Sequence, residues 1–170
     1  MNYWHMNLHP TGDRMDDLGI KKIVLSRTIG MGIWDESDGP TQRDDFKNRV
    51  KENDIVAIVN GQTSIALVEI IGDWYEFSLN EEGNSEDSYH LDKESIIWFI
   101  LRRPVKILDL KKVFIPNDFP SRTKTLKIAS DKESATYQFI EKWHNECVSS
   151  FKTKMNFDST MCQKCLYNFT

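Results

Sequence analysis

The run Ile55-Val56-Ala57-Ile58-Val59 leaves this chain little freedom. Five apolar residues with no polar alternation read as a central strand, buried on both faces. Asn60-Gly61-Gln62 follows as a hairpin signal, and Ser64–Ile71 returns as the antiparallel partner. Whatever else the chain forms must be built around that hairpin.

The neighbours are mostly strands. Tyr3–Leu8 alternates, with Trp4, Met6 and Leu8 on an apolar face toward the core and Tyr3, His5 and Asn7 on an amphipathic face expected to meet a ligand. Asp16–Leu25 reads as a short helix and Thr28–Trp34 as a strand. Thr41 is the expected N-cap of a helix over Gln42–Val50 that buries Phe46 and Val50. Arg43, Lys47 and Lys51 form a second row on that helix, facing solvent or phosphate. Gly72-Asp73 breaks the return strand before Trp74-Tyr75-Glu76-Phe77, and Asn80–Asp92 reads as a polar loop.

Ser95–Leu101 is a predicted strand running into Arg102-Arg103-Pro104 and then Val105–Leu108. The proline implies a kink or a sheet edge. Leu110–Phe119 is a connector, and Thr123–Ile128 ends the sheet. Ser130–Glu133 has the pattern of a capping box for a helix that buries Ala135, Phe139, Ile140 and Trp143. Val148–Thr170 shows no clear period.

Strands that adjoin strands argue against a doubly wound fold. The expected class is α+β: a curved mixed β-barrel of five or six strands flanked by two or three helices. One domain is expected over residues 1–147, with 148–170 as a tail or linker.

Of the 170 residues, 39% are hydrophobic and 28% charged, which predicts a globular domain with one core. No apolar run reaches membrane-spanning length, and MNYWHMNLHP lacks the features of a signal peptide. A cytoplasmic protein with no membrane partner is expected, and three cysteines do not suggest a disulfide framework. The net charge of −4 argues weakly against nucleic acid, but the charge is segregated. Acids crowd Glu81–Asp87, whereas bases crowd Arg43–Lys51, Arg102–Lys112 and Arg122–Lys127. A local basic face steers a phosphate backbone regardless of the total. The plainer reading is that these bases are solvated.

There is no phosphate-binding Gly-Lys-Ser loop, dinucleotide fingerprint or nucleophile elbow. The four histidines lack catalytic spacing. The expectation is a binding module and not an enzyme, with no required cofactor. One metal pattern stands out: His144-x-x-Cys147 and Cys162-x-x-Cys165 have spacing suited to tetrahedral zinc. The alternative is that Cys147 extends the buried stripe of Trp143, leaving Cys162 and Cys165 as thiols in the tail. The aromatic signal is broader. Trp34 follows Gly30 and Gly32 and precedes Asp35, Ser37 and Asp38; Trp74-Tyr75 lies just past an apolar strand. Such rings pack into a core or line a slot for a flat base, which enters only when flipped out of its pair.

These segments, in this order, resemble EVE domains, a branch of the PUA-like superfamily that also includes YTH domains. Tyr3–Pro10 (YWHMNLHP) resembles their opening strand, and Gly32-Ile33-Trp34 with its polar continuation the next block. Phe46–Ile58, Ser64–Ile71, Ile97–Leu108 (IWFILRRPVKIL) and Leu126–Trp143 continue the series. The resemblance covers about residues 3–145 and implies a curved barrel with a pocket for a modified base. The YWHM opening is most similar to readers at the N-terminus of McrB-like subunits in modification-dependent restriction systems. The implied partners are modified DNA and a fused or associated AAA+ GTPase and nuclease.

The resemblance implies Trp34 as one cage wall, Trp74 as the second and Tyr75 as its substitute. Asn7 and Asp35 are the candidates for the base edge, and Arg43, Lys47, Arg102 and Arg103 for phosphates. Asp35-Glu36 departs from the small hydroxyl residues of YTH domains, which points to a different base or a degenerate pocket. Two alternatives accompany this reading: a YTH-like reader of modified RNA, and a protein-interaction domain on the same fold.

Overall fold

The central hairpin forms as expected. β3 (Ile55–Asn60) and β4 (Thr63–Ile70) pair antiparallel across Gly61 and Gln62. Gly61 adopts φ 63°, a left-handed conformation that disfavours a side chain. A bulge places Ile65 as the extra residue between the pairs Ile58–Ala66 and Val59–Ser64. The computed structural model describes residues 1–8, 16–31, 39–77, 100–120 and 125–166, with the side chains of 39–40 and 153–166 excepted.

Among the described residues five further strands join the sheet: β1 (Tyr3–Asn7), β2 (Thr28–Met31), β5 (Tyr75–Glu76), β6 (Leu101–Leu110) and β7 (Leu126–Ala129). The order is β2-β6-β4-β3-β1-β7, and β5 pairs with β6. Among the described residues only β1 and β3 run parallel, so this is a mixed sheet, strongly curled into a half-barrel within an α+β fold.

Two cores lie on the two faces. Inside the curl, Trp4, Met6, Val56, Ile58 and Val68 pack with Ile20 and Val24 of α1 (Asp17–Leu25) and with Phe46. On the outer face, Tyr3, Ile55, Ala57 and Leu67 pack with Phe119 and with Ile140 and Trp143 of the last helix. Alternate residues of β3 serve different cores, which is why Ile55–Val59 carries no polar position. The same layering corrects the expectation for β1. Its odd face is buried, with Tyr3 at 5%, His5 at 2% and Asn7 at 7% exposure, because the last helix and the connector cover it.

Asp16 caps α1, its Oδ1 accepting from the Gly19 N–H at 2.6 Å. The second helix, α2 (Gly39–Asp44), starts before the expected Thr41 cap. Pro40 fits its first turn, where backbone N–H groups lack helical acceptors. The helix then widens into a π-helical turn, Asp45–Arg49, closed by Val50 N–H to the Asp45 carbonyl at 2.9 Å.

β6 continues as one strand through Pro104, where a kink or an edge was expected. Proline is tolerated there because the neighbour changes: Leu101 and Arg102 pair with β5, and Val105–Leu110 pair with β4. The predicted loop at 80–92, most of the predicted strand at 95–101 and the end of the strand at 32–34 lie outside the described residues.

α3 spans Ala135–Leu166. Its cap is Ser134, whose Oγ accepts from Tyr137 N–H at 3.2 Å, and not the expected box at 130–133. The Asp131 carbonyl accepts from both the Ser134 N–H (3.1 Å) and its hydroxyl (2.6 Å), so the chain is still turning there. Ala135 is therefore an exposed first-turn residue, while Ile140, Trp143 and Cys147 face the sheet. The helix crosses residues 147 and 148 without a break, where a tail was expected to begin. No helix among the described residues is long and apolar enough to cross a membrane.

Candidate functional site

The short sheet β2–β6–β5 gathers most of the described candidates. Arg102 pairs with Gly30 of β2 on one side and Tyr75 of β5 on the other. Glu76 pairs with Leu101, as does Met31, so β2, β5 and β6 come level at one end. Phe77 N–H donates to the Ile100 carbonyl at 2.7 Å and extends that ladder.

The strand period splits this sheet into two faces. On one, Lys47 Nζ sits 4.2 Å from the centroid of the Trp74 ring and 3.4 Å from Glu76 Oε1. Trp74 is half-buried, with its ring packed against the inner core. On the other face lie Tyr75 and Arg102, whose guanidinium carbon is 3.8 Å from the Phe77 ring centroid. Trp74 and Tyr75 therefore do not line one pocket together. Two aromatic rings, each capped by a cation, flank a strand two residues long.

Arg103 has a different task from the expected one. It is fully buried and donates from Nε to the Phe46 carbonyl (2.9 Å), from Nη2 to the Lys47 carbonyl (3.0 Å) and from Nη1 to the Gly72 carbonyl (3.0 Å). The first two carbonyls lie in the π-helical turn and have no helical donor, so Arg103 caps that turn. Burial pulls the guanidinium below its ordinary value, opposed by Asp73, 3.9 Å away, and by Asp54. A group so enclosed does not reach a phosphate. Arg102 is also buried, at 1% exposure. Lys47 and Arg43 are half-buried.

Asn7 is also turned to structure: its Oδ1 accepts from the Gly61 N–H at 3.1 Å and holds the tip of the central hairpin. Trp34 and Asp35 lie outside the described residues. The sequence reading passed over Phe77 and Glu76. Their alternation with Trp74 and Tyr75 was visible, but pairing Phe77 with Arg102 needed the β5–β6 register.

The metal pattern is only partly described. His144 Nδ1 is 3.2 Å from the Tyr3 hydroxyl, and Cys147 is buried toward the sheet. Burial holds the His144 imidazole below its ordinary value, opposed by Glu69. Among the described residues no three His, Cys, Asp or Glu side chains converge as for a metal ion; the side chains of Cys162 and Cys165 lie outside them. No protein-family model matches this chain, and no curated protein matches it.

Proposed function

We propose that this domain reads a modified base in nucleic acid, DNA first of all, as the recognition module of a McrBC-type restriction system with a PUA-like barrel. The observation that carries the reading is the Trp74–Lys47 stack beside β5 of the β2–β6–β5 sheet, 4.2 Å apart. A half-buried indole with one face on the core offers its other face to a flat ring, and Lys47 holds that place. Base stacking is worth about 1–3 kcal/mol per base. A partly exposed cation–π contact contributes about 0.5–1 kcal/mol. A flipped base therefore displaces the ammonium at a net gain, and the displaced Lys47 is tethered where it can meet a phosphate. The curled mixed sheet is compatible with this architecture. In the reading, Trp34 is the opposing wall, with Asp35 at the base edge.

The test is fluorescence-anisotropy binding at low salt to oligonucleotides carrying N6-methyladenine, 5-methylcytosine, 5-hydroxymethylcytosine or no modification, each as DNA and as RNA. Preference for one modified DNA, with affinity falling as salt rises and the preference lost in Trp34→Ala and Trp74→Ala, supports the reading. Equal binding to all members rejects the modified-base pocket. A dependence on the ribose hydroxyl moves the target to RNA.

A further inference from the structure

A second Trp–Lys stack lies far along the sheet, in a groove between the end of β6 and α3 that the proposed function does not use. The groove encloses about 330 Å³, within the range of small-ligand sites. Trp143 and Cys147 form its buried floor, and Asp109, Lys111, Glu146 and Phe151 its sides. The Trp143 indole Nε1 donates to Asp109 Oδ2 at 2.8 Å, which fixes the ring plane. Lys111 Nζ lies 4.4 Å from the ring centroid.

Three features make this a place for a cation. The ring face is already filled by one, supplied by the chain itself. Two carboxylates, Asp109 and Glu146, line the groove against the single ammonium of Lys111. And the Lys111 backbone is held from both sides, its N–H on the Ile65 carbonyl (3.0 Å) and its carbonyl on Lys21 Nζ (3.0 Å). Its side chain can therefore leave the ring without moving the strand. Phe151, at 48% exposure, offers an apolar surface on the next turn for an aliphatic stem.

We propose that this groove binds an organic cation on an aliphatic stem, a guanidinium or primary ammonium, and that Lys111 is the resident surrogate it displaces. The ring attracts the cation through its quadrupole, and Asp109 and Glu146 accept its N–H groups. A planar guanidinium stacks flat on the indole, so arginine is preferred over lysine. Two sources carry this chemistry: an arginine side chain of a partner protein and a free polyamine.

The experiment follows the Trp143 indole N–H cross-peak of the full chain, assigned with Trp143→Phe, during titration with N-acetyl-arginine amide, the citrulline equivalent and spermidine. The expected result is a saturable shift with the arginine compound and none with neutral citrulline. Lys111→Ala should bind the cation about tenfold more tightly, because its competitor is gone. Asp109→Asn, which keeps an acceptor for the indole, should bind about tenfold more weakly. A response to spermidine alone assigns the site to free polyamines. No shift with any cation, an equal shift with citrulline, or unchanged affinity in Lys111→Ala overturns the proposal.

Discussion

The indole Nε1 of Trp4 donates to Asp54 Oδ2 at 2.9 Å in the interior of the domain. Trp4 is fully buried and Asp54 is 1% exposed. The same carboxylate accepts from the Asn2 N–H (2.6 Å), the Asn2 amide (3.2 Å) and the Lys51 N–H (3.1 Å). One side chain thus ties the start of β1 to the turn that launches β3, the parallel pair of the sheet. Asp54→Ala leaves a buried indole and two backbone donors without acceptors and should cost about 3–5 kcal/mol in urea unfolding. Trp4→Phe keeps most of the ring volume and should cost less than half as much. Equal losses in the two variants would mean that ring packing, and not the carboxylate, holds the junction.

Arg103 should behave as a structural residue. Replacing it by methionine strands the Phe46, Lys47 and Gly72 carbonyls, at about 1–3 kcal/mol for each group that water does not reach. The expected outcome is a fall in melting temperature of Arg103→Met well beyond that of Arg43→Met. Arg103→Lys should rescue little, because an ammonium cannot span three carbonyls with a fixed fork. A fully stable Arg103→Met would sink the capping role.

Gly72 meets the same brace from the other side. A Cβ placed there would stand 2.9 Å from Pro104 Cγ, closer than real contacts allow. Gly72→Ala should destabilise by about 1–3 kcal/mol through overpacking, and Pro104→Ala in the same chain should recover part of it. Thermal melts of the two single variants and the double variant measure the coupling.

Legibility in the sequence followed the number of cores a segment touches. The hairpin around Gly61 was readable because Ile55–Val59 serves both cores and tolerates no polar residue. Helix α1 forms within the expected Asp16–Leu25, but its cap, Asp16, was not singled out in the sequence. The odd face of β1 was misread because His5 and Asn7 are polar, and only the placement of α3 and Phe119 over them shows that they are interior. Arg103 was misread for the same reason: a guanidinium looks like a phosphate ligand until the carbonyls it serves are known. Pro104 implied a kink or an edge because a change of strand neighbour leaves no mark in composition. At the site, Trp74 and Lys47 were each singled out, but nothing local pairs residues 27 positions apart. The turn that brings them together is π-helical, a geometry with no composition signal.

His5 makes stability depend on pH with a definite sign. Its imidazole is 2% exposed, both ring nitrogens lack a hydrogen-bond partner among the described residues, and the ring lies 5.5 Å from that of Phe119. Burial first, then the charge of Lys127 on the paired strand β7, lowers its pKa from 6.5 to about 4. The neutral form is therefore favoured in the fold, and below pH 6.5 the unfolded chain binds a proton that the folded chain refuses. The contribution is fully present above that value and is lost as pH falls toward 4. At pH 4.5 wild type should have lost roughly 2–3 kcal/mol more than His5→Met, relative to pH 7. Urea unfolding of both proteins at the two pH values checks it. Parallel losses would place the acid sensitivity in the carboxylates instead.

Lys47 separates a stacking platform from a merely packed indole. Its ammonium sits between the Trp74 ring and Glu76, whose side chain is 63% exposed, so the ion pair adds about 0–1 kcal/mol at most. Lys47→Ala should therefore leave the unfolding free energy within about 1 kcal/mol of wild type. Its effect on nucleic acid depends on which role the lysine holds. As the group that leaves Trp74 to meet a phosphate, its loss uncovers the ring but removes one ionic contact. Affinity should fall severalfold at low salt, and the slope of log affinity against log salt should shrink by about one unit. The preference for a modified base should persist, because the ring that carries it is still present. Trp74→Ala should do the reverse, keeping the salt slope and erasing the preference. Anisotropy titrations of the two variants across a salt series distinguish the roles. If both variants lose preference and slope together, Trp74 and Lys47 act as one packed unit and the base is held elsewhere.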